Sequence, residues 1–322
     1  MKGFDSKFKD FPDYIIGITH EIWESRGLST LHEYYSDDIV VRSPASVVIG
    51  NRNTIAATMA TLAEFPDRQL LGEDVIWSGS PEEGMHSSHR IFSTATHAHD
   101  GVYGAATGTK LRYRIIADTH AINNQINDEW LIRDQGAIVR QLGWDPKAYA
   151  ADLIAREGGP EQAVQPLTPL TDLPGPYKGC GNDNAWGAHY AQLITRIMGA
   201  EFSVIPAEYD RAAQTVYPGG HDGTGHGSAD SFWMGLRSAF PDAELTIQHV
   251  IGREDPMMPP RAAVRWSLWG KHSGWGAFGA PTGADVYVLG ISHAEFGPWG
   301  LRREYTLFDE TAVWKQILLK TG

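Results

Sequence analysis

Glu129 and Glu304 stand 175 residues apart, each inside a run that alternates apolar and polar residues, "EWLIRDQ" and "EYTLFDE". A carboxylate held in a dry pocket is the kind of group that takes a proton from a carbon beside a carbonyl, provided a donor meets the oxygen on which charge collects. Arg133 follows Glu129 by four residues and shares its strand face, so it is the candidate oxyanion or carboxylate anchor. The contrary reading leaves both glutamates at a strand end in water, the ordinary state of Glu. Asp118 and His120 alternate onto one face of the preceding segment, and His293 with Glu295 repeats the pair with acid and imidazole exchanged. A carboxylate beside an imidazole fixes its tautomer and raises its basicity. The catalytic candidates are therefore Glu129, Glu304, Arg133, His293, Asp118 and His120.

Arg90 and Arg265 recur in the middle of apolar-flanked segments, where an arginine must hold a substrate carboxylate or pair with a core acid. Tyr190, Trp233 and Trp266 can wall a pocket, and His97 recurs as His272. These seven complete the substrate-binding candidates. The stretch "HSSHRIFSTATHAHD" is rich in histidine, but His86, His89 and His99 have no histidine counterpart 175 residues on, and no acidic ligand cluster accompanies them. No metal and no cofactor is expected. Asp134 and Asp309 open the last segment of each half and suit a structural role there.

The spacing of 175 organises the whole chain. "FPD" at 65–67 falls on "FPD" at 240–242, Arg90 on Arg265, Asp134 on Asp309, and the glycine-rich "GVYGAATG" at 101–108 on "GAFGAPTG" at 276–283. That last motif resembles a dinucleotide loop only in composition. Such a loop sits between a first strand and a helix, whereas this one lies deep in its half between two period-2 segments, so its glycines serve a turn. Residues 1–150 form one domain, a proline-rich linker spans 151–179, and 180–322 form the second. Each half begins with helical spacing, "DYIIGITHEIWESRG" and "AHYAQLITRIMG", followed by a second helix capped at Asn53 or Ser228. The period then changes to 2 for long antiparallel strands, including "EWLIRDQGAIVRQL" and "REYTLFDETAVWKQI". The fold class is α+β.

The net charge of −12 disfavours nucleic acid and anionic membranes, and no 18-residue apolar run exists. Cys180 is the only cysteine, which excludes an intrachain disulfide and fits the cytoplasm.

With "AFPDAEL", "WGKHSGWGAFGAPTG" and "GISHAEF" in one half, and "EFPDRQL", "THAHDGVYGAATG" and "DEWLIRDQGAIVRQLG" in the other, the chain resembles a tandem SnoaL-like polyketide cyclase of the cystatin-like superfamily that includes nuclear transport factor and ketosteroid isomerase. The resemblance implies two cone-shaped α+β barrels, each with N-terminal helices inside a curved antiparallel sheet, packed as a pseudo-dimer that itself has room to dimerise. It also implies an apolar pocket for a small carbonyl or hydroxyl compound and cofactor-independent lyase, isomerase, cyclase or hydrolase chemistry. Other members of such a family bind or scaffold without turnover. The family's acid/base aspartate falls on Leu131 and Thr306, so neither half carries it. Its polar pocket position on the preceding strand falls on Ala117 and Ser292, which turns the Asp118/His120 and His293/Glu295 pairs to the opposite face unless a bulge intervenes.

Overall fold

A computed structural model describes residues 1–322. In the first domain, α1 (Phe11–Thr19) starts where Asp10 accepts the Asp13 amide and Pro12 occupies a position that needs no donor. Its apolar stripe continues through a π-helical turn at His20–Glu24, where one regular helix was expected to run on to Gly27. After α2 (Leu31–Tyr34) come the hairpin β1 (Tyr35–Ser43) and β2 (Ser46–Ile49), α3 (Asn51–Glu64), and the long strands β3 (Gln69–Ser80), β4 (Gly84–Thr96), β5 (Lys110–Ile122) and β6 (Gln125–Arg133), then α4 (Gln135–Gln141) and α5 (Pro146–Arg156). The second domain repeats the plan with α6 (Ala185–Met198), α7 (Val204–Glu208), β7 (Tyr209–Tyr217), β8 (His221–Thr224), α8 (His226–Ala239), β9 (Glu244–Arg253), β10 (Arg261–Lys271), β11 (Asp285–Gly297), β12 (Gly300–Leu307) and α9 (Glu310–Thr321).

Two local readings change. The second helices are capped at Gly50 and Gly225, three residues before the expected caps; φ of +83° and +80° there is open to glycine and strained for other residues. The closing strands stop at Arg133 and Leu307, because Asp134 accepts the Ala137 amide and Asp309 those of Thr311 and Ala312, starting a helix in each half.

The sheets have the orders β2-β1-β6-β5-β4-β3 and β8-β7-β12-β11-β10-β9, with only β1/β6 and β7/β12 parallel. Each curls around its own helices, and the outer faces pack back to back as a pseudo-dimer. Ile116 and Ile132 meet Leu289, Ile291 and Leu307 there, and Ile76 meets Ile251 and Ala263. Residues 157–184 contain neither helix nor strand and are strapped to the first sheet, with Arg42 binding Asp172 at 2.6 Å and Leu167 donating to the Pro44 carbonyl at 3.0 Å.

Helix α5 carries past residue 150 and packs against α9. Asp145 caps it, accepting the Lys147 and Ala148 amides at 2.9 and 3.1 Å. Asp145→Ala is expected to cost about 1 kcal/mol in chemical denaturation, the usual loss for an N-cap.

Candidate active site in the first cone

The alternation of strand residues decides which candidates face a cavity. On β6, Glu129, Leu131 and Arg133 point into the first cone; on β5, Ala117 and Thr119 do so, and on β4, His89 and Ile91. Asp118 and His120 therefore point the other way. The register Ala117↔Leu131 and Asp118↔Trp130 runs without a bulge at these positions.

The outward pairs meet across the domain interface. Arg265 donates to Asp118 at 2.7 Å, and Ser88 lies 2.5 Å from Asp118 and 2.8 Å from His293 Nε2. Arg90 lies 3.3 Å from His293 Nδ1 and stacks on Tyr305, with its Nε 3.1 Å from Glu73. His120 is bonded to Asn127 at 2.7 Å. Asp118, His120, His293, Arg90 and Arg265 thus belong to the buried seam that joins the domains rather than to a pocket. The arginines found acids: Arg265 takes Asp118 from the opposite half, and Arg90 lies between Glu73 of its own half and Glu295 of the other, 3.6 Å away. His86, Asp118 and His249 also converge there, with ligand atoms within 4.8 Å. Burial holds His86 and His249 well below the usual imidazole range, so both are neutral. The cluster's single carboxylate is already neutralised by Arg265, which weakens it as a cation site.

His97 and His272 are latches of the glycine-rich turns. His97 binds Thr107 at 3.1 Å and Glu64 at 3.2 Å, and Glu64 also accepts the Val102 and Tyr103 amides. His272 makes the same bond to Thr282. Neither histidine lines the cavities described below.

Cone two is filled. Glu304 is fully buried and accepts from Tyr190 at 2.8 Å, Tyr217 at 2.6 Å, Tyr209 at 3.0 Å and Trp233 at 3.3 Å. Trp266 donates to Ser292 at 2.9 Å and lies over Gly290, where a Cβ would stand 2.2 Å from the indole. Tyr190, Trp233 and Trp266, read as pocket walls, occupy the space a ligand would need, and Glu304 holds them together. The β7–β8 hairpin is tied to the first domain, its Gly219 and Gly220 amides donating to Asp134 at 2.8 and 3.0 Å.

Cone one is hollow. An outer cavity of about 440 Å³ and an inner one of about 80 Å³ share Trp23, Tyr35, Glu129, Leu131 and Arg133 as walls. Tyr149 and Leu153 of α5 and Thr311, Ala312 and Lys315 of α9 close its mouth, so the second domain lends a helix to the first domain's pocket. Burial raises the Glu129 carboxyl to about 7, against the pull of its hydrogen-bonding partner Tyr35. The inner chamber adds Arg68 and His89. His89 is lowered to about 3 by burial and by Arg90, so it is a neutral imidazole.

Glu129 and Arg133 are the two sequence candidates that the structure brings together on a cavity. Tyr35 and Arg68 were not singled out, and His89 was weighed only as a metal ligand; the signal for Arg68 and His89 lies where the halves differ. Across the repeat, Thr58 becomes Trp233, Ile91 Trp266, Arg133 Phe308 and Arg68 Ala243. Large aromatic residues in one half against small or cationic ones in the other tell a filled cone from an open one.

Residues 14–142 match the family model described as SnoaL-like polyketide cyclase. Among solved structures, the chain is similar to IdmH from Streptomyces antibioticus at 20% identity, covering 41% of this chain and 98% of that one with a TM-score of 0.36. It is also similar to a SnoaL-like polyketide cyclase from Agrobacterium tumefaciens at 16% identity (41% and 97% covered, TM-score 0.34) and to TsrD from Streptomyces laurentii at 14% (41% and 93%, TM-score 0.36). No curated protein matches the chain. No helix is long and apolar enough to cross a membrane.

Proposed function

On the premise that this chain is a tandem SnoaL-like protein, its first domain matched by the polyketide cyclase family model, we propose that cone one carries out cofactor-independent acid/base chemistry on a carbonyl compound and that cone two is its structural partner. The observation that carries this reading is Glu129: a carboxyl of pKa about 7, walled by apolar side chains, opening on a cavity large enough for a ring-sized compound. A base ionised near neutral pH combines a usable population with real basicity. Its carboxylate takes the proton from the carbon beside the carbonyl, and the electron pair moves to the carbonyl oxygen as an enolate. The carboxyl so formed then returns the proton at another carbon, giving isomerisation, or to the oxygen of an aldehyde or ketone that the enolate has attacked, giving ring closure.

Arg133 lies four residues along the same strand, about 13 Å between Cα atoms at strand rise. That interval suits a bicyclic substrate held by a polar group at the arginine end, with its carbonyl and the adjacent acidic carbon at Glu129. The competing reading, a binder without turnover, draws on Leu131 standing where the family's aspartate stands.

Solvent-deuterium incorporation into 2-tetralone, followed by proton NMR, tests the reading. The intact chain should exchange the carbon-bound protons faster than buffer alone, and Glu129→Gln should return the rate to the buffer value. No acceleration, or acceleration that survives Glu129→Gln, overturns it.

A further inference from the structure

The inner chamber of cone one holds two guanidiniums, Arg68 and Arg133, against one carboxyl, Glu129, which pairs with neither. Arg68 is 3% exposed and in no ion pair, and its Nε and Nη1 have no acceptor. Arg133 Nε and His89 Nε2 are orphaned in the same way. An isolated buried guanidinium is costly, and its unmade hydrogen bonds add to that cost. Trp23 receives Arg68 on its ring face at 5.0 Å, which softens the penalty without supplying an acceptor. Tyr113 registers the field: burial pushes it up, but Arg68 and Arg133 outweigh that and leave it below its ordinary value.

The fold does not require these groups. In cone two the same positions are Ala243 for Arg68, Phe308 for Arg133, Val264 for His89 and Val288 for Tyr113, and the same sheet and helices form around them. A structural cation would need its partner in either half. Here the whole polar set is present in the hollow cone and absent from the filled one.

We propose that cone one receives an organic carboxylate, its anionic group seated on Arg68 and Arg133 in the inner chamber and its apolar body along Trp23, Ile91 and Leu131 toward Glu129. The proposal rests on the reading of cone one as the substrate cavity and names the class of compound that fills it. The bound carboxylate completes the guanidinium hydrogen bonds and balances the charge, and the two-arginine end fixes which carbon faces Glu129.

Isothermal titration of the full chain with 2-naphthoate and its neutral isostere 2-naphthamide tests this. The acid should bind at least about tenfold more tightly than the amide, as charge-assisted hydrogen bonds would give. Arg68→Gln should abolish the preference by weakening the acid far more than the amide, and Arg68→Lys should keep part of it. Equal affinity for acid and amide, no binding of either, or a preference that survives Arg68→Gln overturns the proposal. The acid preference should also persist in Glu129→Gln, so a chain that prefers the acid but exchanges no deuterium fails only the catalytic reading. Loss of the preference with exchange retained fails only this one.

Discussion

Glu129→Gln should lower turnover by about 10² to 10⁴-fold, the usual contribution of a general base, and at the same time make the protein more stable above pH 7. The second half of this expectation follows from linkage. The Glu129 carboxyl stands at about 7 in the folded chain against an ordinary 4.5, because burial disfavours its charged form. The folded state therefore binds more protons than the unfolded state between these values. Its favourable contribution is complete below about 4.5 and is lost as pH rises through about 7. Glutamine carries no such charge. The gain of Glu129→Gln over wild type should be absent near pH 4, grow through pH 5 to 7, and level off above at no more than about 3 kcal/mol. Thermal unfolding across this pH range reads it directly. Wild-type kcat/KM should fall with acid on a limb near pH 7, because the base must be ionised.

The equivalent carboxylate should behave in the opposite way. Glu304→Ala removes the common acceptor of Tyr190, Tyr209, Tyr217 and Trp233, all buried, and leaves four donors and a void. Each abandoned buried donor costs about 1 to 3 kcal/mol when nothing replaces its partner. Partial rearrangement among the three hydroxyls limits the sum, and a loss on the order of 4 kcal/mol is expected, roughly 10 °C in the midpoint for a domain of this size. Turnover per folded molecule, measured below the transition, should stay at the wild-type level. One position thus loses function and gains stability on substitution, and its repeat counterpart loses stability alone. A sequence repeat conceals that difference, because Glu129 and Glu304 are the same residue on the same strand.

The architecture was legible because duplication multiplied weak signals. No single "FPD" or glycine-rich turn specifies a fold, but their recurrence at one spacing, followed by period-2 strands, does. The parity of β5 was open in the sequence: the resemblance set Ala117 on the pocket face, but a bulge would have turned Asp118 and His120 inward, and only the register to β6, unbroken at these positions, excludes it. What they would meet on the outer face was not legible: Arg265, Ser88 and His293 join them only after two sheets from distant parts of the chain pack together, and no local pattern encodes that contact. The shared face of Glu129 and Arg133 was readable from their spacing, but whether that face met a pocket or water was not. Arg68 was hidden because the identical "FPD" before it drew attention to what the halves share, while the cavity depends on what they do not share.

The glutamate readings also show the limit of equivalence. Glu304 matches Glu129 in register and meets a tyrosine in the same way, Tyr209 on β7 standing where Tyr35 stands on β1. Its isolation from any cavity comes from Trp233, Trp266 and Tyr217, where cone one has Thr58, Ile91 and, at the corresponding end of β1, Ser43. Side-chain volume at three neighbours, rather than the carboxylate itself, separates a base from a structural acceptor.

The central claim is that one tuned carboxyl faces one cavity, and it can be tested without a known substrate. Carbon-detected NMR titration of the chain labelled at the glutamate side-chain carboxyl follows each group directly. A resonance titrating near pH 7, absent from Glu129→Gln and shifted by 2-naphthamide, is the predicted result. If the resonance lost in Glu129→Gln titrates instead in the ordinary range near 4.5, Glu129 is a solvated surface acid and the account is contradicted.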